Sequence, residues 1–457
     1  MQLAKVTPNM LENEGSWDPV VLCGPMSSLL GDSCAGSLDT WDASISDGSR
    51  VAERSTFGAA DIGFAELRIS HERQTAPASS RHSVRTGDVL LAKAPPIKAA
   101  WISPSVQQLR FDATCYAVRN LDTAQGVWLT FLLNQKEYAF CLARRSVASA
   151  MPRINTNELR RFPIPEVPEG FERIASGIAN CLDKRSINSL ELVRLQGEVA
   201  SLVESMIPAV VFDNVDEGHD RTESWYRRFH AQTLEDSLIP GHVKAGEFQQ
   251  ILKRNGDWRP INSLVSLARG HGERLGQLAT QYHCLRLSDV GSDLRVPMTL
   301  SRGLAGNRNV YAEPLQIDEV LHSLLATSPR TAFVCERPDY DVYPTDHWVR
   351  LKFNETPGAW ALVMQTEAIA RQLRSMTTGL TQQFATPIAV QQLVLPPLPP
   401  AVRQSWDSRM RRWQRQRNEL DLEWFELVDR VYRLLKDTEA KYGPWVTPYF
   451  QEAIDDA

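Results

Sequence analysis

The sequence predicts an α+β fold built twice along the chain, each half a body of strands and loops followed by a long helix. A short proline-rich strand runs into a long amphipathic helix at residues 159–206, and the same order recurs at residues 390–436. Placing Phe162 on Leu393 defines a constant shift, the repeat offset, which indicates an internal repeat. The further pairs that match at the repeat offset are Ile164 and Leu395, Pro165 and Pro396, Val167 and Leu398, and Pro168 and Pro399.

The repeat extends upstream of the proline-rich strands. One gap brings Trp128 onto Trp360, and the motif Trp17-Asp-Pro-Val resembles Trp258-Arg-Pro-Ile. Each half is therefore predicted to contain a Trp-x-Pro motif, an irregular strand-rich body, a helix with a tryptophan, a proline-rich strand and a long helix, in that order.

The two long helices carry apolar residues at alternating steps of four and three, which is the spacing of a coiled-coil stripe. Either helix alone fits an amphipathic surface helix equally well, but two at equivalent points of a repeat favour packing against each other. Polar residues interrupt the stripes at Arg185, Asn188 and Arg417. The predicted helix-pairing residues are Ile178, Leu192, Leu195, Val199, Leu202, Met410, Trp413, Leu420, Trp424 and Val431.

Local composition predicts the elements of the first body. Residues 17–61 are rich in Ser, Gly and Asp, which predicts loops joining short strands. Apolar or alternating stretches predict strands at 64–69, 88–93 and 113–118. The stretch 126–143 is long enough for a helix, and 148–156 reads as a loop.

The second body begins after a connector, residues 208–257, that is too long for a plain loop in a compact domain and is expected to hold a short helix near 224–238. Strands are predicted at 282–287, 331–336 and 347–353, the last with clean alternation. A Gly/Asn/Arg loop covers 303–309, and a helix at 360–374 matches the Trp-containing helix of the first half.

Composition limits the class of protein. A chain of 457 residues can form two or three domains. No apolar run approaches the roughly 18–20 residues that span a bilayer, and the N-terminal stretch lacks an apolar signal core, so a cytoplasmic protein without membrane contact is expected. The seven cysteines are scattered without a C-x-x-C pair, which favours buried thiols over disulfides or zinc ligands.

Charge is unevenly distributed although the net charge is only −5. Residues 1–70 hold 4 Lys and Arg against 10 Asp and Glu, whereas residues 81–161 hold 12 against 5. Residues 269–308 hold six Arg against three acidic residues. Because phosphate binding needs a local basic face and not a basic protein, a nucleic-acid partner is compatible with this distribution, as is an ordinary solvated surface.

Catalytic signatures are absent from the sequence. There is no G-x-x-x-x-G-K-[ST], G-x-G-x-x-G, H-E-x-x-H or G-x-S-x-G motif, and no Asp/Asn-Pro-Pro-aromatic motif of amino-methyltransferases. Neither a metal nor a cofactor is expected in this chain. Asp339 and Asp341 are the best candidates for an acidic metal pair, but no Glu-x-Lys partner follows them at a convincing spacing.

Three stretches of the first half resemble the specificity subunit of type I restriction–modification enzymes. Gly87-Asp-Val-Leu resembles the G-D-(I/V)-L strand of that family, and Trp128-Leu-Thr-Phe-Leu-Leu resembles its helix after the central strand. Arg153-Ile-Asn-Thr-Asn-Glu-Leu-Arg-Arg-Phe-Pro-Ile-Pro resembles the stretch that leads into the conserved helix. The second half fits less closely, through Leu380-Thr-Gln-Gln-Phe, Leu395-Pro-Pro-Leu-Pro-Pro and Asp318-Glu-Val-Leu.

The resemblance implies an organisation and a set of partners. The expected domains are a first target recognition domain (1–168), a first spacer helix (169–207), the connector (208–257), a second target recognition domain (258–400), a second spacer helix (401–441) and a tail (442–457). The helices would pair as an antiparallel coiled coil. The partners would be double-stranded DNA with a bipartite target, two adenine-N6 methyltransferase subunits that use S-adenosylmethionine, and a motor–nuclease subunit for restriction. A non-standard methylation-based phage-defence system is also compatible.

Bases in DNA are read by Arg, Asn and Gln, and phosphates are bound by Arg and Lys. The candidate DNA-binding residues in the two bodies are Arg81, Arg85, Lys93, Arg144, Arg145, Arg153, Asn155, Arg295, Arg302, Asn307, Arg308, Gln382 and Gln383. Two alternatives stay open: a coiled-coil scaffold that binds only proteins, and a metal-dependent nuclease built around Asp339 and Asp341.

Overall fold

The structure is a computed structural model in which two compact units can be distinguished. Unit 1 comprises Met1–Glu191 and Arg417–Asp455, and unit 2 comprises Leu192–Gln416 with the last two residues. The residues that the structure describes are 37–47, 56–57, 59, 62, 65, 67, 83–95, 97–106, 110–135, 138–139, 142, 153–162, 164–207, 249–250, 252–253, 257–268, 273–274, 283–298, 300, 309–311, 313–326, 329–376 and 384–437.

Helices and strands are mixed throughout, as the sequence predicts. The elements from the N-terminus are β1 (Ser44–Asp47), β2 (Thr56–Phe57), β3 (Val89–Ala92), β4 (Ala99–Trp101), β5 (Arg110–Phe111), β6 (Cys115–Arg119), α1 (Thr123–Leu133), α2 (Thr156–Arg160) and the long helix α3 (Phe171–Ser205). The predicted strands at 88–93 and 113–118 are confirmed by β3 and β6. Only residues 65 and 67 of the strand predicted at 64–69 are among the described residues. The helix predicted near 224–238 lies outside the described residues.

The main sheet of unit 1 has the strand order β1-β6-β3-β4, and all its neighbours are antiparallel. Val89 lies opposite Val118 on one side and Trp101 on the other. All residues of β3 and β6 are buried, which is why these two strands read as continuous apolar runs. The strands β2 and β5 form a separate parallel pair.

A buried ion pair between Arg119 and Asp88 lies at the start of β3. Arg119 Nε lies 3.2 Å from Asp88 Oδ2, and both side chains are less than a tenth exposed. The Asp88 carboxylate also accepts the Arg85 N–H at 2.8 Å, although burial raises the pKa of Asp88 more than these partners lower it. Gly87, between them, has φ +85°, a conformation that glycine adopts without steric cost.

Helices cover one face of this sheet. The core that they share with it includes Val89, Leu91 and Val118 from the strands and Trp128 and Leu132 from α1. The two long helices contribute the following residues to this core: Phe171, Ala175, Ile178, Cys181, Leu182, Trp424, Leu427, Val428, Val431 and Leu435. The Trp128 indole N–H donates to Pro165 O at 3.0 Å, which holds the proline-rich segment against α1.

The elements of unit 2 continue the numbering. They are β7 (Arg259–Pro260), β8 (Val265–Ala268), β9 (Glu273–Arg274), β10 (His283–Leu285), β11 (Asn309–Val310), β12 (Glu319–Ser323), β13 (Thr331–Phe333), β14 (Val342–Pro344), β15 (Trp348–Phe353), α4 (Pro357–Met364), α5 (Glu367–Ser375), α6 (Pro387–Gln392), β16 (Val394–Leu395) and the long helix α7 (Pro400–Asp437). Short 3₁₀ turns occupy Ile261–Ser263 and Leu287–Asp289.

The main sheet of unit 2 has the order β8-β15-β12-β13, again antiparallel throughout. Each sheet has an early strand at one edge (β1 or β8), and beside it the strand that precedes the Trp-containing helix (β6 or β15). A central strand and the other edge strand follow, joined by a short connection (β3 with β4, β12 with β13). Smaller pairs are β10 with β14, β9 with β11, and β7 with β16. The last pair joins the Trp-x-Pro motif at Trp258 to the proline-rich strand.

Two details of the sequence interpretation were wrong. The helix predicted at 360–374 is two helices, because Gln365 ends α4 and Thr366 adopts an extended conformation (ψ 153°) before α5. The clean alternation predicted for 347–353 is absent, because β15 is buried at every residue except Lys352. Arg350 can be buried there because its Nη2 lies 2.6 Å from Glu319 Oε1.

The turn before β12 repeats the chemistry of the turn before β3. Asp318 has φ +72°, and the Glu319 carboxylate accepts the Gln316 N–H at 3.0 Å. Arg350 pairs with that carboxylate and donates to Glu313 O at 2.8 Å. A strand does begin at Glu319, the second residue of the interpreted motif Asp318-Glu-Val-Leu. Asp tolerates the left-handed conformation at Asp318 better than most non-glycine residues.

Segments of the two long helices contact each other within unit 1. A Cβ atom on Gly177 would lie 3.0 Å from Leu427 Cδ2, and Arg417 donates to Ser189 Oγ at 3.2 Å. Later residues of α3 therefore meet earlier residues of α7. The polar residues predicted within the stripe are buried here: Arg185 lies 3.0 Å from Asp421, and Arg417 lies 3.4 Å from the same carboxylate.

Segments of the same helices also contact each other within unit 2. Glu198 accepts the Trp406 indole N–H at 2.9 Å and pairs with Arg409 at 2.7 Å. The predicted pairing residues in this unit that are buried are Leu192, Leu195, Val199, Met410 and Trp413. Of the others, Leu202 and Leu420 are half-buried, and Ile178, Trp424 and Val431 belong to the core of unit 1.

Within the described residues, no helix is both long and apolar enough to span a membrane. Cys115, Cys181, Cys284 and Cys335 are buried free thiols, as predicted for those four.

We predict that Arg350→Met lowers the free energy of unfolding by about 3–5 kcal/mol, because it leaves the buried Glu319 carboxylate without its partner. The check is the urea midpoint of the full chain. Arg371→Met is the matched control, because its pair with Glu367 is about half exposed and an exposed pair contributes about 0–1 kcal/mol. Equal shifts in the two variants would contradict the role given to Arg350.

We also predict a pH dependence from His322, which is fully buried and bonded through Nδ1 to Thr331 Oγ1 at 3.0 Å. Burial lowers the pKa of His322 from 6.5 to about 4. Between these two pH values His322 binds a proton more readily in the unfolded chain than in the folded one. The free energy of unfolding is therefore highest above pH 6.5 and falls as the pH drops toward 4, by at most about 3 kcal/mol.

The test compares urea midpoints at pH 7.5 and pH 5 for the wild type, His322→Gln and His347→Gln. The wild type and His347→Gln, whose side chain is about half exposed, should lose more stability between the two pH values than His322→Gln. An unchanged loss in His322→Gln would show that His322 does not contribute.

Candidate nucleic-acid interface

The structure describes five of the thirteen predicted DNA-binding residues: Arg85, Lys93, Arg153, Asn155 and Arg295. The other eight lie outside the described residues, and they are Arg81, Arg144, Arg145, Arg302, Asn307, Arg308, Gln382 and Gln383. Lys93, Arg153 and Asn155 are brought together in unit 1. Arg85 lies at the opposite end of β3, before the turn, and Arg295 belongs to unit 2.

Residues 153–162 are fixed to the main sheet of unit 1 by hydrogen bonds. The Ile154 N–H donates to Lys93 O at 2.9 Å, and the Tyr116 hydroxyl donates to Ile154 O at 3.1 Å. Buried Leu159 and Phe162 anchor the other end of the segment in the core. The side chains that point outward therefore stand on a rigid base.

The outward side of this segment is basic. Arg153, Arg160 and Arg161 are exposed, and we call these three residues the arginine surface. One carboxylate oxygen of Asp39 lies 3.9 Å from Arg160 Nη1, with both side chains about half exposed. Arg160 and Arg161 were missed as candidates in the sequence, although an adjacent arginine pair in the most basic stretch of the chain was a signal for them.

Two of the predicted DNA-binding residues have their polar atoms engaged. The Asn155 side-chain oxygen accepts the Glu158 N–H at 2.8 Å and caps α2. The Lys93 side chain is 6% exposed, and its Nζ lies 4.2 Å from the centre of the Tyr116 ring. Contact of the Asn155 side-chain oxygen or of the Lys93 ammonium with DNA would require these interactions to be given up.

The other two have different surroundings. Arg85 is exposed, and its backbone N–H is bonded to Asp88. The guanidinium of Arg295 is bonded to Asp293 at 3.2 Å, and its side chain is only 12% exposed. Arg85 is thus available to a phosphate, whereas Arg295 is held within its own loop.

Unit 2 contains a segment with the same backbone bonds. The Ala385 N–H donates to Leu324 O at 2.7 Å, and the Thr386 side chain caps α6 by accepting the Ala389 N–H at 3.2 Å. The outward positions carry other chemistry, since Phe384 is 38% exposed and Ile388 is 64% exposed. Gln391 and Gln392 follow at the end of the helix.

The acidic pair proposed for the nuclease alternative is exposed. Asp339 and Asp341 both face solvent, and Asp341 lies 3.9 Å from Arg337. Among the residues that the structure describes, no group of three or more His, Cys, Asp and Glu side chains is arranged to hold a metal ion.

Comparisons with known proteins give structural likenesses but no match to a family or to a curated sequence. Among solved structures, the chain is similar to the S subunit of a type I restriction–modification system from M. genitalium, with 9% identity, a TM-score of 0.30, and coverage of 90% of this chain and 96% of that one.

We predict that Asn155→Ala costs about 1 kcal/mol of stability through the lost cap, whereas Asn155→Ser, which keeps a capping oxygen, costs little. Urea unfolding measures the stability, and fluorescence anisotropy with a mixed-sequence duplex measures DNA affinity. Both variants should keep the affinity of the wild type. A tenfold loss of affinity in a stably folded Asn155→Ser would instead assign Asn155 to DNA contact.

Proposed function

We propose that this chain is a DNA sequence-specificity subunit that recognises a bipartite target. In this proposal unit 1 and unit 2 each read one half-site, and the chain directs adenine-N6 methyltransferase subunits, together with restriction subunits, to the DNA. It supplies no catalysis itself, and S-adenosylmethionine is bound by the methyltransferase partners.

The observation that carries the proposal is the recurrence of the same backbone hydrogen bonds at the repeat offset or one position beyond it. The Gly87 N–H donates to Ile102 O at 2.8 Å, and the Asp318 N–H donates to Val334 O at 2.8 Å. The other recurrent bonds are Ala92 to Lys98 and Ser323 to Arg330, Ile154 to Lys93 and Ala385 to Leu324, and the caps at Asn155 and Thr386. Two unrelated sheets would not keep offsets that agree to within one residue.

This recurrence supports a duplicated chain whose two bodies share the same backbone hydrogen-bond framework. The frame is the same in each, but the exposed side chains on it differ, as Arg153 and Phe384 illustrate. Such a design suits the reading of two different half-sites. Two weak binding units on one chain multiply their affinities through effective concentration when the DNA presents both half-sites at the right separation.

The long helices are proposed to pair as an antiparallel coiled coil that spaces the two bodies. The order of contacts between α3 and α7 in unit 1 supports the antiparallel direction, and the buried residues of the stripes support pairing. The Arg185, Asp421 and Arg417 cluster would fix the register, because a slip of one turn would leave buried charges without partners. The domain boundaries 1–168, 169–207, 208–257, 258–400, 401–441 and 442–457 belong to this proposal.

We predict that the full chain, bound to its methyltransferase subunits, selects a two-block motif from a pool of random duplexes. The enriched sequences should share two short conserved blocks separated by a spacer of fixed length, because two bodies on one chain bind together only at one spacing. Methyltransferase subunits without the chain are the control. Enrichment of one block, or a spacer of variable length, would contradict the proposal, and no enrichment would favour the scaffold alternative.

A further inference from the structure

We propose that the arginine surface of unit 1, Arg153, Arg160 and Arg161, binds the phosphate backbone of DNA, and that the equivalent surface of unit 2 does not. This inference rests on the proposed function and deepens it, because it assigns a different type of contact to each body. Unit 1 would supply a sequence-independent ionic contact, whereas unit 2 would contribute little salt-dependent affinity through this surface.

The two surfaces can be compared residue by residue because the same backbone hydrogen bonds support both. At the repeat offset, Arg153 corresponds to Phe384, Arg160 to Gln391 and Arg161 to Gln392. The burial pattern agrees as well: Leu159 and Phe162 are buried in unit 1, as are Val390 and Leu393 in unit 2. The outward positions therefore differ in chemistry while their supports remain alike.

The difference in charge is systematic. All three positions of the arginine surface are cationic in unit 1, and all three equivalents are neutral in unit 2. Lys93, below the arginine surface, corresponds to Leu324, so unit 2 also lacks a fourth positive charge that unit 1 has. Phosphate binding depends on such local positive charge, and a neutral surface gains nothing from counterion release.

The rigid support makes the arginine surface a better phosphate site than a flexible loop. The carbonyl of Ile154 is held by the Tyr116 hydroxyl, and the first turn of α2 is capped by Asn155. Arginines on an ordered frame lose less conformational entropy on binding than arginines that must first be ordered. The geometry thus favours contacts that set the orientation of the duplex on unit 1.

The most arginine-dense stretch of the described chain is less suited to this role. Residues 403–417 of α7 contain six arginines, but five of them face carboxylates of their own unit. Those pairs are Arg403 with Glu355, Arg409 with Glu198, Arg411 with Asp318, Arg415 with Glu336, and Arg417 with Asp421. Their charge is largely compensated. In the arginine surface, the pair of Arg160 with Asp39 is longer, at 3.9 Å, and both of its side chains are about half exposed.

The test measures how the affinity of the full chain for a 60-base-pair mixed-sequence duplex changes between about 50 and 300 mM NaCl. Each phosphate contact contributes about 0.9 to the slope of log affinity against log salt. We expect Arg153→Gln/Arg160→Gln/Arg161→Gln to flatten this slope by about 2–3. The unit 2 variant Phe384→Ala/Gln391→Ala/Gln392→Ala should keep the wild-type slope.

A second control removes the same charge elsewhere. Arg173→Gln/Arg194→Gln/Arg412→Gln alters three exposed arginines on the long helices and should flatten the slope by less than 1. Circular dichroism and the urea midpoint establish that each variant is folded.

The possible outcomes separate the inference from the proposed function. A wild-type slope that is retained by the unit 1 variant overturns the inference and leaves the proposed function intact. Equal flattening in the charge-matched control, or in the unit 2 variant, also overturns it. Salt-independent or absent binding by the wild type, to this duplex and to duplexes selected with the methyltransferase complex, would overturn both.

Discussion

One backbone hydrogen bond in each unit joins the sheet to the segment that leads into a long helix. In unit 1 it runs from the Ile154 N–H to Lys93 O, and in unit 2 from the Ala385 N–H to Leu324 O. Each bond lies at the end of a central strand, just before a capped helical turn and a proline-rich stretch. Together with the buried residues that follow it, Leu159 and Phe162 in unit 1 and Val390 and Leu393 in unit 2, this bond fixes the outward side chains of that turn relative to the strands.

The buried acid–arginine pairs fix the opposite ends of the same central strands. Asp88 with Arg119 and Glu319 with Arg350 are poor sources of net stability, because burying two charges costs about as much as their attraction returns. Their effect is on specificity: a strand slipped by one residue would leave a buried charge unpaired. Together with the bond at the far end, they define a frame on which surface residues can vary without changing the fold.

Much of this frame could be predicted from the sequence. Apolar and proline residues at regular positions located the proline-rich segments and the long helices, and the motif Asp318-Glu-Val-Leu pointed to the strand at Glu319. The break between α4 and α5 was not predictable, since residues 360–374 keep a helical pattern across Gln365 and Thr366. The burial of Arg350 was missed because its partner, Glu319, lies on a different strand and far from it in the sequence.

The candidate site was harder to predict than the fold. A sequence shows that arginines are present but not which carboxylates they face. Arg295, for example, was a candidate for DNA contact, but its guanidinium is bonded to Asp293. Asn155 resembled a base-reading residue because capping and base reading use the same amide. The sequence does not show that the side chains of Arg160 and Arg161 are exposed. The structure shows this, because it packs α2 against the sheet with both side chains on the outer side.

We propose that the chain gives methyltransferase subunits their DNA target. The most direct measurement is a map of adenine-N6 methylation in genomic DNA from a host with and without this chain, with the methyltransferase present in both. We expect a bipartite motif that is methylated only when the chain is present. Methylation unchanged in pattern and amount would contradict it.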